Sequence, residues 1–236
     1  LGAVVCVLVL SPSSYGKVTR RALARHLYLD TAPVLLGFTV LAALISLVLT
    51  RIVVVTAISY GLSRYALEMV IRVLVLELIP LTAALFVAMR CTIPNGTQLA
   101  LLRQSGHLAR LSHAGADPIR VELLPRAVAG VFACITLAAL SCVVALVLAY
   151  LGVYGFSLAG LPSYTRMFGH VFAPAVTLVF VIKTVLFSLA VALIPMAAGL
   201  YDTGERTQPD SELGGLARMF AVLLLIEIGS LVGNYY

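Results

Sequence analysis

Three charged residues of this sequence stand where charge is costly. Glu77, Lys183 and Glu227 each lie near the middle of an apolar stretch that is long enough to cross a lipid bilayer. One unpaired charge at that depth costs at least about 2.5–3.5 kcal/mol on insertion scales. We therefore expect the three side chains to pair, to face a cavity or, for the acids, to be protonated. Two interpretations stay open: a clamp that fixes helix packing, and a site for a lipid headgroup or a proton.

A polar segment between the second and third apolar stretches is the other place where residue types point to a specific task. It predicts a short amphipathic helix over residues 103–114, with a basic face and a separate apolar face. The basic residues recur at positions i, i+4 and i+7, which is the spacing of one helix face. They are Arg103, His107 and Arg110, and the apolar face carries Leu108 and Leu111.

The sequence GADPIRVELLPR, residues 115–126, follows this predicted helix. Asp117 is suited to cap the start of a new helix, and Pro118 is suited to its first position. Together they predict a turn of fixed angle. The whole polar segment fits two interpretations, a surface that rests on anionic lipid headgroups and a docking element for a cytoplasmic partner. The residue pattern alone does not decide between them.

The composition restricts the class of protein. Hydrophobic residues make up 61% of the 236 residues and charged residues only 11%, whereas a soluble domain carries about 25% charge. An integral membrane protein is the class that fits. The net charge of +6 does not indicate a nucleic-acid partner, because the basic residues lie mostly in short connections between apolar stretches. The four cysteines stand singly, so we interpret them as packing residues rather than metal ligands.

Five apolar stretches are long enough to cross a bilayer as helices, since about 20 residues suffice. Backbone exposed to lipid must satisfy its own hydrogen bonds, so the predicted fold is an all-α integral membrane protein. We treat residues 1–236 as a single transmembrane domain, with an interfacial or cytoplasmic region over 1–30 and five membrane helices over 31–236. Residues 1–10 predict an interfacial helix, and we expect the chain to begin within a longer protein. The predicted spans are 31–58, 65–89, 123–153, 169–200 and 216–236.

The distribution of basic residues predicts the orientation of these spans. The connections on one side carry eleven of the sixteen Lys and Arg residues. Because Lys and Arg accumulate in cytoplasmic loops, this side is predicted to be cytoplasmic. The N-terminal region then lies in the cytoplasm and the C-terminus faces outward. The eleven residues are Lys17, Arg20, Arg21, Arg25, Arg90, Arg103, Arg110, Arg120, Arg126, Arg206 and Arg218.

Several motifs, taken in order, resemble the MlaE/YrbE family, the permeases of MCE-type lipid ABC transporters. That family shows E-L-G-P, then A-G-R, a cytoplasmic helix ending in D-P, and P-R before a run of small residues. Ile79 and Met89 stand where the family has glycine, so the chain resembles a divergent member. The matching residues are Glu77, Leu78 and Pro80, then Arg90, Asp117 and Pro118, then Pro125, Arg126, Ala129 and Gly130.

The resemblance implies a non-catalytic permease subunit that moves phospholipid or another hydrophobic molecule between the inner membrane and the outer envelope. Its implied partners are a second permease copy, expected to form a homodimer, two cytoplasmic ABC ATPase subunits, and a periplasmic ring of MCE domains. It also implies a bacterial inner-membrane location with a periplasmic C-terminus. No cofactor is expected in this chain, because ATP and Mg²⁺ would be bound by the ATPase and the sequence has no G-x-x-x-x-G-K-[ST] motif.

Two sets of functional residues follow from the resemblance combined with the residue patterns. A lipid pocket is expected near Val54, Tyr60 and Leu76, where residues 52–58 are apolar. Coupling to the ATPase is expected from the polar segment. The residues concerned are Arg103, His107, Leu108, Arg110, Leu111, Asp117 and Pro118.

Two other classes of function compete with a permease. An intramembrane enzyme would need catalytic groups that face one another, such as a Ser/His pair or two Asp residues, and the sequence shows no such pattern. The alternative that stays open is an ion-coupled transporter or channel that uses Glu77, Lys183 and Glu227. An ATPase that co-purifies with the chain would favour the permease over both.

Overall fold

A computed structural model describes residues 17–115, 117–201 and 208–235 of the chain. The interfacial helix that we predict over residues 1–10 lies outside the described residues. The described residues form seven helices, and a short 3₁₀ turn, Leu158–Gly160, follows the fourth. They are α1 (Lys17–Ser59), α2 (residues 63–104), α3 (His107–His113), α4 (Ile119–Tyr154), α5 (Leu161–Val171), α6 (Pro174–Tyr201) and α7 (Gln208–Tyr235).

Five of these helices are long and apolar enough to cross a membrane, which confirms the predicted all-α membrane fold. The short helices α3 and α5 are the exceptions, and they lie at opposite ends of α4. We call these two ends of the bundle the α3 end and the α5 end. The spanning segments are Arg25–Ser59, Tyr65–Gln104, Ile119–Tyr154, Pro174–Leu200 and Gly214–Asn234.

The predicted start of the fourth span at residue 169 is wrong. Gly169 belongs to α5, and the spanning helix α6 begins only at Pro174. Phe172 leaves the helical conformation with φ −87° and ψ 47°, and Ala173 precedes a proline, which disfavours helical backbone there. Pro174 then takes the first position of the new helix, where a missing N–H costs nothing.

The predicted end of the second span at Met89 is also wrong, because α2 continues to Gln104. Pro94 does not break the helix, and the same holds for Pro80 earlier in α2 and for Pro125 in α4. In each case a wider π-helical turn ends two residues before the proline. The three turns are Ile71–Leu78, Ala88–Thr92 and Ile119–Leu123. A proline ring clashes with the carbonyl four residues earlier, and the wider turn relieves that clash while the helix continues.

The predicted helix over residues 103–114 is divided in the structure. Gly106 has φ 71°, a left-handed conformation that suits glycine, and it separates the end of α2 from the seven-residue helix α3. Arg103 therefore belongs to α2, whereas His107 and Arg110 belong to α3. The single basic face that joined these three residues does not exist, because the break changes the direction of the chain between them.

The five spanning helices share one apolar core that contains many small residues. Small side chains let the helix backbones approach closely, as in other membrane bundles. Cys91 and Cys134 are buried in this core and Cys142 in a neighbouring cluster, in agreement with their predicted packing role. Core residues contributed by the five helices include Phe38, Ala83, Ala84, Val87, Ala133, Leu137, Phe187, Val191, Met219 and Leu223.

At the α3 end, α2 and α6 touch through their backbones. A Cβ atom at Gly96 would lie 2.7 Å from the carbonyl oxygen of Pro195, and one at Gly199 would collide with the Gly96 carbonyl. Arg103 adds a polar link at the same place, because its Nη1 donates to the Leu200 carbonyl at 2.8 Å. This carbonyl lies next to Tyr201, the last residue described for α6. The contact holds the ends of the two helices together.

Candidate functional site

A cluster of ions joins three spanning helices. Lys183 on α6 forms ion pairs with Glu77 on α2 and with Glu227 on α7, the latter with 2.9 Å between Lys183 Nζ and Glu227 Oε2. The prediction that the lysine lies close to one of the acids is confirmed, and it pairs with both. The Lys183 side chain is only 1% exposed, whereas those of Glu77 and Glu227 are 14% and 15% exposed. The ammonium is therefore enclosed, while the two acidic side chains are partly exposed.

The backbone near Glu77 provides a third acceptor for the lysine. Pro80 has no N–H to donate to the carbonyl of Leu76, four residues earlier. Lys183 Nζ lies 3.3 Å from that Leu76 oxygen, and it also lies 5.7 Å from the centre of the Phe187 ring. A buried ammonium needs several partners to offset its lost hydration. The proline and the π-helical turn thus form part of the site.

The last turn of α7 contributes another polar contact to the cluster. Asn234 Nδ2 donates to Glu77 Oε1 at 3.3 Å, so Glu77 is bound by α6 through one oxygen and by α7 through the other. Asn234 lies about two helical turns beyond Glu227. The sequence analysis did not single out Asn234, although its spacing of seven residues from Glu227 places both on one face. The cluster ties α2, α6 and α7 together, which favours the clamp interpretation.

The α3 end carries a second group of interacting charges, centred on Glu122 of α4. Glu122 Oε2 lies 2.5 Å from Arg126 Nη1, and the Glu122 carbonyl accepts from the same nitrogen at 2.7 Å. Glu122 Oε1 lies 3.8 Å from His107 Nε2 on α3. Arg126 is buried, with 7% of its surface exposed. The spacing of Glu122 and Arg126, four residues apart in a helix, was the signal by which the sequence could have indicated this pair.

The start of α4 has the cap that the sequence predicts. The Ile119 N–H donates to Asp117 Oδ1 at 3.0 Å, and the Asp117 carbonyl accepts from Arg120 and Val121. Pro118 occupies the first helical position. These contacts confirm Asp117 as the N-cap. Its side chain stabilises the turn between α3 and α4.

Helix α3 is small and lies between two glycines. Gly106 and Gly115 both have positive φ, 71° and 77°. Leu108 and Leu111 are partly buried, whereas Arg110 is exposed and donates to the Ser105 carbonyl at 2.9 Å. The structure thus places His107 and Arg110 together on α3 but separates them from Arg103, which binds α6.

The comparison with protein families gave a match over most of the chain. Residues 23–232 match the family model described as Permease MlaE. The chain belongs to the MlaE permease family. The family consists of membrane permease subunits of ABC transporters for lipid, so this chain is a permease subunit. The five described helices that could cross a membrane agree with this. The comparison with curated protein sequences gave no match.

The predicted lipid-pocket residues of this MlaE permease differ in exposure and in their neighbours. Val54 packs with Ala57 and Ala66, Leu76 is buried between helices, and Tyr60 is 77% exposed in the turn between α1 and α2. The lipid pocket at these residues therefore stays a prediction.

Two apolar cavities lie elsewhere in the MlaE permease. The first has a volume of about 200 Å³ between α1 and α2, and its lining includes Phe38, Ile45, Thr82, Phe86 and Met89. None of the three predicted pocket residues lines it. Its position along α2 runs from the residues next to Glu77 toward the α3 end.

The second cavity, about 410 Å³, lies between α4 and α5 at the α5 end. Tyr150 and Tyr164 line it, but both hydroxyl groups donate hydrogen bonds to backbone carbonyls, that of Tyr150 to Ser157 and that of Tyr164 to Leu146. Burial raises the pKa of the Tyr164 hydroxyl to about 12. The cavity therefore presents aromatic rings rather than polar groups.

Metal binding has no structural support in the part of the chain that the structure describes. Within residues 17–115, 117–201 and 208–235, no group of three or more His, Cys, Asp or Glu side chains is placed to hold a metal ion.

Proposed function

We propose that this permease moves phospholipid or another hydrophobic molecule between the inner membrane and the outer envelope of a bacterium. It acts as a homodimer with two cytoplasmic ABC ATPase subunits and a periplasmic ring of MCE domains. The observation that carries the proposal is the family match over residues 23–232. ATP and Mg²⁺ bind to the ATPase, so this chain supplies the path for the lipid and the surface that receives the mechanical work.

The α3 end is assigned to the cytoplasm in this proposal. Arg90, Arg110, Arg120 and Arg218 lie at this end, and basic residues accumulate on the cytoplasmic side of membrane proteins. The C-terminus after α7 is then periplasmic. An ATPase that binds ATP in the cytoplasm can reach the α3 end, which is where a short, exposed helix stands apart from the spanning bundle.

Helix α3 is the proposed docking element for the ATPase. Arg110 and His113 are exposed on it, and Arg120 is exposed in the first turn of α4. Leu108 and Leu111 are partly buried, so α3 presents its polar side outward. Two exposed arginines close together, Arg110 on α3 and Arg120 on α4, suit a groove lined with carboxylates or carbonyl groups. Arg103 has no part in this surface, since its side chain binds the Leu200 carbonyl.

The cavity between α1 and α2 is the proposed place for an acyl chain of the cargo. Its lining is apolar except for Ser46 and Thr82, and both of those hydroxyls donate to carbonyls of their own helices. An apolar lining with its few polar groups already bonded suits a hydrocarbon chain better than an ion. The cluster of Glu77, Lys183 and Glu227 lies beside this cavity and holds the helices together. Because Lys183 is enclosed there, the cluster argues against the alternative of an ion channel.

Purification of the permease in mild detergent tests the proposed function. We expect an ATPase with a phosphate-binding G-x-x-x-x-G-K-[ST] motif and bound lipid to co-purify, both identified by mass spectrometry. Arg110→Glu reverses an exposed charge on α3 and should reduce the recovered ATPase about tenfold or more, since a like-charge contact at an interface costs several kcal/mol. Arg166→Glu, an exposed arginine on α5 at the opposite end, is the matched control and should leave recovery unchanged.

Two results would contradict the proposal. If the permease is recovered without any ATPase, the proposal that its partners are ABC ATPase subunits is contradicted. Equal loss of the ATPase in both arginine variants would show that α3 is not the docking element.

A further inference from the structure

Helix α3 is joined to the rest of the chain by two glycines in the left-handed conformation. A Cβ atom added at Gly106 or Gly115 would meet nothing within 4 Å, so neither glycine is required by close packing. Their positive φ angles, 71° and 77°, are what favours glycine there. Because turns and not a continuous helix join α3 to α2 and α4, the side-chain contacts of α3 help to set its angle to the bundle.

Glu122 supplies such a contact from the first turns of α4. One carboxylate oxygen faces His107, the first residue of α3, at 3.8 Å. The other is bound to the buried Arg126, whose Nη1 also donates to the Glu122 carbonyl. These two contacts hold the Glu122 carboxylate in place. Asp117 and Arg120 form a neighbouring ion pair in which each side chain is 47% exposed. This pair is separate from the contacts of Glu122 with His107 and Arg126.

The region behind Arg126 connects to the transport bundle. Leu123, Leu124 and Ala127 of α4 pack in one apolar cluster with Leu99 of α2 and Met196 of α6. A displacement of the first turns of α4 is therefore transmitted to two other spanning helices. The close contact between Gly96 and Gly199 is part of the same end of the bundle.

We propose that Glu122 is the positioning residue that transmits the movement of α3 to α4, with His107 as its contact on α3 and the buried Arg126 as its support. This inference rests on the proposed function, in which an ATPase moves α3. Through Glu122, a push on the hinged helix reaches the first turn of α4. Without the contact, α3 turns about its two glycines and the work of ATP hydrolysis does not reach the bundle.

The test uses variants that spare Arg126. Glu122→Gln keeps one carbonyl oxygen for Arg126 but places an amide where the other oxygen faces His107. His107→Ala removes the contact from the other side, and His107→Lys places there a cation that can pair with Glu122. Glu68→Gln is the matched control, because Glu68 and Arg72 form an ion pair of the same spacing on α2, and the side chains of Glu68 and Glu122 are 21% and 20% exposed.

The measurement is the number of lipid molecules moved per ATP hydrolysed. The purified permease–ATPase complex is reconstituted in vesicles of phosphatidylethanolamine and phosphatidylglycerol with a fluorescent phosphatidylglycerol as the probe. We expect Glu122→Gln and His107→Ala each to lower this ratio about fivefold or more, the size of a typical coupling between sites. ATP hydrolysis itself should persist. The double variant should be no worse than either single variant, because both remove the same contact. His107→Lys and Glu68→Gln should keep the wild-type ratio.

The outcomes separate this inference from the proposed function. If the wild-type complex hydrolyses ATP without moving the probe, or if no ATPase binds, both proposals are overturned. If the wild type moves the probe and Glu122→Gln and His107→Ala keep its ratio, only the role of Glu122 is overturned. A ratio that falls equally in Glu68→Gln would also overturn it, since the effect would then be general destabilisation.

Discussion

Lys183 on α6 bridges Glu77 on α2 and Glu227 on α7, residues that are far apart in the sequence and meet inside the bundle. With one cation and two carboxylates, the cluster keeps a negative charge unless one acid carries a proton. Removing the lysine therefore leaves two carboxylates facing each other in a region of low dielectric constant, which is less favourable than removing either acid.

Replacement of the buried lysine should destabilise the fold. We expect Lys183→Met to lower the free energy of unfolding by about 3–5 kcal/mol, because it leaves uncompensated buried charge. Thermal unfolding in detergent, followed by loss of the monodisperse peak in size-exclusion chromatography, measures the effect. Adding Glu227→Gln and Glu77→Gln to Lys183→Met should recover much of the loss. Arg51→Met, at an exposed position of α1, is the control, and equal stability of the two single variants would contradict the clamp.

The backbone contact between α2 and α6 predicts a strong effect of one added methyl group. Gly199→Ala would place a Cβ against the carbonyl of Gly96, and we expect it to cost about 1–3 kcal/mol through overpacking. Gly37→Ala is the matched control, since that glycine is helical and exposed, and a methyl group added there would meet no neighbouring side chain or helix within 4 Å. Alanine at this position should be neutral or should stabilise by up to about 1 kcal/mol. Similar melting temperatures for the two variants would show that the helices separate easily at this point.

The cap of α4 predicts a local rather than a global effect. Asp117→Ala removes the acceptor of the Ile119 N–H and should cost about 1 kcal/mol, which corresponds to roughly fivefold faster local opening. Hydrogen–deuterium exchange of the peptide that covers residues 117–124 measures this opening. Asp117→Asn keeps an acceptor oxygen and should exchange nearly as slowly as the wild type. Unchanged exchange in the alanine variant would mean that the cap does not hold the turn.

The orientation of the chain can be measured at its last residue. The distribution of basic residues predicts that Tyr236 faces the periplasm. Alkaline phosphatase fused after Tyr236 should then be active, and green fluorescent protein at the same place should be dark. The reverse pattern, with fluorescent protein bright and phosphatase silent, would invert the proposed topology and place α3 away from any cytoplasmic ATPase.

Photocrosslinking distinguishes the cavity between α1 and α2 from the pocket predicted at Val54. A photoactivatable residue at Leu85, which lines the cavity, should still capture co-purified phospholipid after exchange into lipid-free detergent. The same residue at Leu178, which is 61% exposed on α6, contacts only exchangeable lipid and should capture none. Mass spectrometry of the adducts is the readout. Retained lipid at Val54 but not at Leu85 would restore the sequence-based pocket and remove the cavity from the transport path.

Composition and local pattern were sufficient to predict the class of protein, the number of spanning helices and most of their limits. These properties depend on length and apolar content within one stretch, because the bilayer acts on each stretch separately. The residue pattern also predicted the cap at Asp117 and the need of Lys183 for an acidic partner. Both follow from free-energy costs that do not depend on the tertiary structure: the cost of an unsatisfied helix terminus and the cost of a buried charge.

Which side chains meet was set by the packing of the helices. The left-handed Gly106 separates Arg103 from His107, and the approach of α6 gives Arg103 a carbonyl to bind. Glu122 gained its role through a contact with α3 that no spacing in the sequence encodes. Helix continuity through Pro94 likewise depended on the wider turn before it and on the packing of Gly96 against α6. Each of these outcomes depends on the distance and rotation between helices, which arise from the packing of the whole bundle and not from any local stretch of residues.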